Sequence, residues 1–131
     1  MISDSIDIFD ANIINLEIEI KAQVASNVNP QTALANLKSK IYEELMTIPP
    51  DIGEPFYLSE VYRIIRTMPE ISYVPQRDGV VVRSLSGGGV YSDYSYDINQ
   101  NISLDESYLY IPENSIWEIK FIDDIKGTII T

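Results

Sequence analysis

The chain contains no cysteine and no histidine. Without cysteine there are no disulfides, thiolate metal ligands or thiol nucleophiles. Without histidine the usual zinc sites, Ser-His-Asp and Cys-His catalysis and the side chain best suited to proton transfer near neutral pH are excluded as well. The absence of cysteine also fits folding in a cytosol. Positive charge is scarce: 9 Lys and Arg stand against 20 Asp and Glu, a formal net charge of −11, and the basic residues are scattered from Lys21 to Lys126. A nucleic-acid partner needs a cationic patch to displace counterions from phosphates, and an anionic membrane needs the same, so neither is expected. No apolar run approaches the ~18 residues of a membrane span. The opening stretch Met1-Ile2-Ser3-Asp4-Ser5-Ile6-Asp7 carries acids where a secretory signal carries positive charge. Repeats and low-complexity tracts are lacking too, apart from Gly87-Gly88-Gly89.

What is present suffices for one domain over residues 1–131: the length is that of a typical single domain, and 45% hydrophobic residues can build a core. From Asn12 to Val24 apolar residues alternate with polar ones. Ile14, Leu16, Ile18, Ile20, Ala22 and Val24 fall on one face, which predicts a strand with one buried side. At about twice the usual strand length, part of it is expected to pair outside a compact domain. Asn29-Pro30 supplies a helix cap and first-turn proline. The helix that follows carries its stripe on Leu34, Leu37, Ile41, Leu45 and Ile48 and stops at Pro49-Pro50. A second helix is expected from about Pro55–Ser59, capped by Ser59, with a stripe of Leu58, Val61, Tyr62 and Ile65 and an end at Pro69.

The second half reads as β. Short runs at Ile71–Val74 and Val80–Arg83 flank a turn at Gln76-Arg77-Asp78-Gly79, suited to a hairpin or a bulge. Residues 84–107 are loop-rich, with weak strand character at Tyr94–Ile98. Tyr108–Ile111 and Ile116–Ile122 flank Pro112-Glu113-Asn114-Ser115 like a hairpin, and a last strand is expected at Thr128–Ile130. The order strand, helix, helix, strands implies an α+β fold with a mixed or antiparallel sheet and two helices packed on one face.

Patterns that could carry chemistry each have a plainer reading. Asp97-x-Asn99-x-Asn101-x-Ser103-x-Asp105 spaces oxygen ligands like a calcium loop, but Ile102 stands where the turn needs glycine and Tyr108 where a bidentate glutamate belongs. Asn101-Ile102-Ser103 is formally a glycosylation sequon without a secretory route. Ser86-Gly87-Gly88-Gly89 lacks the Lys-Ser/Thr of a phosphate cradle. Acid pairs such as Glu43-Glu44, Asp105-Glu106 and Asp123-Asp124 are common in so acidic a chain and give only a weak case for a two-carboxylate hydrolase. No catalytic, cofactor or metal site is expected. The aromatic concentration is the best candidate for function, since aromatics bring large contact area to binding surfaces. Tyr91, Tyr94, Tyr96, Trp117 and Phe121 are the candidate interface residues. Tyr91–Tyr96 could equally pack inward, and Tyr108 and Tyr110 are read as core.

The stretch Ile52-Gly53-Glu54-Pro55-Phe56-Tyr57-Leu58-Ser59-Glu60-Val61-Tyr62-Arg63-Ile64-Ile65, closing with Met68-Pro69-Glu70-Ile71, resembles the C-terminal region of baseplate J-like proteins. Glu70 stands where that family usually has glycine. The run Ile111-Pro112-Glu113-Asn114-Ser115-Ile116-Trp117-Glu118-Ile119-Lys120, with Asp124-Ile125-Lys126-Gly127, is similar more narrowly to the inner-ring wedge proteins of T-even-type phage baseplates. The Gly-Tyr-rich segment 84–97 has no counterpart there. The resemblance spans nearly all of this chain and only the C-terminal part of such a protein. It implies a virion structural domain that forms homodimers or larger rings and contacts other wedge proteins. A different class, a receptor- or carbohydrate-binding tail module using exposed Tyr and Trp, is the alternative.

Overall fold

The structure is a computed structural model and describes residues 11–130; the acidic opening Met1–Asp7 lies outside them. Its spine is β1 (Asn12–Val24), and the alternation read from sequence is its organising feature. Ile14, Leu16, Ile18, Ile20 and Ala22 are all buried in one core, while Asn15, Glu17 and Glu19 look to the other face. α1 (Pro30–Met46) begins where Asn29 accepts hydrogen bonds from the N–H groups of Gln31 and Thr32, a cap of about 1 kcal/mol. It buries Ala33, Leu37, Ile41 and Leu45. Ile48 does not continue the stripe, because α1 ends before it and the side chain is 82% exposed.

β2 (Phe56–Tyr57) leads directly into α2 (Leu58–Arg66). Ser59 lies inside α2 rather than capping it; Tyr57 holds the cap position and makes no side-chain bond there. Leu58, Val61, Ile64 and Ile65 are buried on α2, and both long helices share the core with the apolar face of β1. Tyr62 is only half-buried. Its hydroxyl donates toward the carbonyl of Gln76 at 3.1 Å and accepts the N–H of Val80 at 3.2 Å.

β3 (Ile71–Tyr73) and β4 (Val80–Leu85) both run antiparallel to β1, so segment 74–79 is an excursion and not a hairpin between them. As the chain runs from 71 to 85 it moves along β1 from Val24 to Asn15. A four-residue helix, α3 (Ile98–Asn101), follows where weak strand character was expected, and Tyr94–Ile98 forms no strand. The expected hairpin around Pro112–Ser115 is also absent. β5 (Tyr108–Leu109) pairs with β2 in a separate two-stranded sheet, whereas β6 (Ser115–Glu118) pairs in parallel with β1. After a 3₁₀ turn at Ile122–Asp124, β7 (Ile125–Ile129) rejoins β1, again in parallel.

The result is the α+β arrangement expected: a mixed five-stranded sheet, a small second sheet, and two main helices packed against the larger one. The length of β1 is used up within the domain. Asn12–Asn15 pair with β6, Asn15–Ile20 with β4, Ile18–Ala22 with β7, and Gln23 and Val24 with β3. No long stretch of β1 is left over for an outside strand, because its neighbours are short and lie end to end. Among the described residues no helix is long and apolar enough to cross a membrane.

Candidate functional site

The five aromatic candidates separate into two environments. Trp117 alternates inward on β6 with Ser115, is 4% exposed and meets Phe56 edge-on at 4.8 Å between ring centres. Tyr96 is also core: its hydroxyl donates to the carbonyl of Tyr110 at 2.7 Å, and Ser84 donates to its own carbonyl. Of the five candidates, these two are therefore buried in the core of the domain. Tyr94 is half-buried against the same core. Tyr91 and Phe121 are brought together at 6.1 Å in an edge-to-face pair, with Phe121 44% exposed. Beside them Val90 and Ile122 are exposed, and the Lys120 ammonium lies 5.5 Å from the centre of the Phe121 ring. Tyr108 and Tyr110, read as core from their alternation, face solvent; Tyr108 pairs with exposed Tyr57 at 6.1 Å.

The loop that carries Tyr91 is held to the polar face of the sheet. Gly87, Gly88 and Gly89 all take left-handed φ angles of 70–76°, a path that other residues rarely follow, and the turn closes where the N–H of Gly87 donates to the Ser92 carbonyl. Ser92 N–H then donates to Asn15 Oδ1 at 2.8 Å, the Lys120 ammonium donates to the Val90 carbonyl, and Tyr91 donates to Asp124 Oδ1 at 2.8 Å. Asp124 is buried with its second oxygen unpartnered. It projects from the 3₁₀ turn that occupies the gap between β6 and β7. The hydrogen bond to this carboxylate, and then burial, hold the Tyr91 phenol above its ordinary pKa.

The same face carries an ion-pair ladder that sequence reading missed. Glu17 lies opposite Arg83 across the β1–β4 register and bonds Lys126 Nζ at 2.6 Å and Arg83 Nη1 at 3.3 Å, while Arg83 Nη2 reaches Glu19 at 2.8 Å. The bond to Glu17 raises the Lys126 pKa, and the bond to Glu19 raises that of Arg83. The alternate polar residues of β1 were the available signal, but their partners lie 66 and 109 residues away.

The carboxylates of the calcium-like stretch serve their own backbone. Asp97 caps the N–H of Asn99, and Asp105 accepts from the hydroxyls of Ser103 and Ser107 and from the Ser107 N–H. These bonds hold the Asp105 carboxyl below its usual range. Among the described residues no group of three or more acidic side chains converges as a metal site would require.

No known family matches the chain, and no curated protein matches it.

Proposed function

We propose that the domain is a structural component of a contractile-tail phage baseplate wedge, where it self-associates and contacts neighbouring wedge proteins. The observation that supports this reading best is how the two resembling segments meet. Gly53, in the turn before β2, has φ +79° and donates its N–H to the Ser115 carbonyl at 2.7 Å. A Cβ there would meet the Glu113 backbone at an ordinary 3.5 Å, so it is the left-handed conformation that favours glycine. Three residues on, Phe56 packs against Trp117. The residues that carry the resemblance thus form one connected piece of core.

Self-association is assigned to the patch of Val90, Tyr91, Phe121 and Ile122. Two copies each carrying −11 repel, so a self-contact needs a surface with little net negative charge. This patch is apolar, with Lys120 on one side and on the other the exposed Asp123, whose charge is met by Lys38 at 3.3 Å. A stable dimer buries on the order of 1,200–2,000 Å² in total, with such aromatics at its centre. Sedimentation at tens of micromolar is expected to show a dimer or larger species, and a Phe121→Ser/Ile122→Ser double variant a folded monomer. A strictly monomeric wild type, together with no self-cross-link inside purified particles, overturns the self-association. An antibody that fails to decorate the tail baseplate of those particles overturns the wedge assignment.

A further inference from the structure

Between the end of α1 and the start of α2 lies a cavity of about 150 Å³. It opens to solvent and has room for about one aromatic or aliphatic side chain. Its inner wall is Leu45, Phe56 and Trp117, each no more than 8% exposed, and at its mouth stand Ile48 and Tyr57, 82% and 49% exposed. Three carboxylates, Glu44, Glu54 and Glu60, surround this apolar throat, and no lysine or arginine lines it. Arg63 bonds Glu60 through Nε at 2.9 Å and approaches Glu44 at 3.8 Å, and Lys40 reaches Glu44 at 3.5 Å. Glu54 has no cationic partner among the described residues and accepts only the N–H of Asp51.

Trp117 closes the floor of the pocket with its ring edge-on to Phe56, and its indole N–H is sealed from solvent.

The geometry points to a docking groove for a cationic segment of another protein, in which one apolar side chain enters the cavity between flanking lysines or arginines. The carboxylates attract the flanks, and Ile48 and Tyr57 cover the inserted side chain. A second copy of this chain is a poor occupant, since its own charge is −11. The groove names the chemistry of a neighbouring partner, and in that respect it rests on the assembly reading.

The test is selection from a phage-displayed library of random dodecapeptides on the full chain, with counter-selection on an Ile48→Asn variant. Ile48 is largely solvent-exposed, so this change leaves the fold intact, which circular dichroism checks. Peptides retained by the wild type alone are expected to pair an apolar residue with flanking Lys or Arg. A synthetic copy should shift the emission of Trp117, the chain's single tryptophan. A Glu44→Gln/Glu54→Gln variant should bind it about fivefold more weakly, as expected for two exposed charge pairs. No enrichment, enrichment without a cationic bias, or equal retention by Ile48→Asn overturns the groove. Basic peptides bound in the groove of a protein that is missing from baseplates would keep the groove and remove the assembly reading.

Discussion

Tyr96 places a phenol in the core and gives its proton a fixed acceptor in the Tyr110 carbonyl. Burial raises its pKa well above the ordinary value. The unfolded phenol ionises near pH ~10, so the stability that this group contributes is whole below that pH and is lost as pH climbs toward the higher folded value. Thermal melts between about pH 8 and 11 should therefore fall more steeply for wild type than for Tyr96→Phe. At neutral pH the variant should lose only about 1 kcal/mol with the hydrogen bond. A wild-type profile no steeper than the variant's would contradict this placement. Tyr96 also shows what alternation leaves open. Period two says that neighbouring side chains oppose one another, but which parity faces inward depends on the partner surface. Trp117 and Tyr96 went in while Tyr108 and Tyr110 went out for reasons that lie elsewhere in the chain.

β1 and α1 were legible because their signals are local: alternation over 13 residues, and an Asn-Pro cap before a 17-residue helix. Pairing was not. The runs at 108–111 and 116–122 look like two arms of a hairpin, yet β5 joins β2 and β6 joins β1, choices set by apolar surfaces far away in sequence. The excursion 74–79 illustrates the same point. Its signal, Asp78-Gly79, is a turn signal, and Asp78 indeed takes φ 63°. The turn returns the chain to β1 rather than to β3, with Gly79 accepting the N–H of Lys21 at 2.8 Å. A Cβ on Gly79 would fall 2.0 Å from the Pro75 carbonyl oxygen, which is backbone and cannot swing away. Gly79→Ala should accordingly cost about 2–4 kcal/mol in denaturant unfolding. Gly88→Ala, left-handed but open to solvent, should cost only about 1 kcal/mol. Equal costs would mean that strain, not crowding, governs both sites.

For the molecule as a whole, charge makes the two proposed contacts answer oppositely to salt. Copies of net charge −11 repel one another. Screening lengths shrink from ~30 Å at 0.01 M to ~10 Å at 0.1 M, so self-association through the Phe121 patch should tighten over that range. A basic segment held at the Glu44–Glu54 rim should weaken over the same range. Sedimentation and peptide titration at both ionic strengths would read the two trends, and trends of the same sign would tie both events to one surface.

Every other strand of the large sheet leans on β1, which has a consequence for how the protein is made. Ile18 finds one of its neighbours only when Ile125 exists. Ribosomes add roughly 5–20 residues per second, so that row of isoleucines and leucine waits on the order of 5–20 s for its last cover. During synthesis the spine of the domain must therefore keep an apolar face waiting for partners that are still to be made.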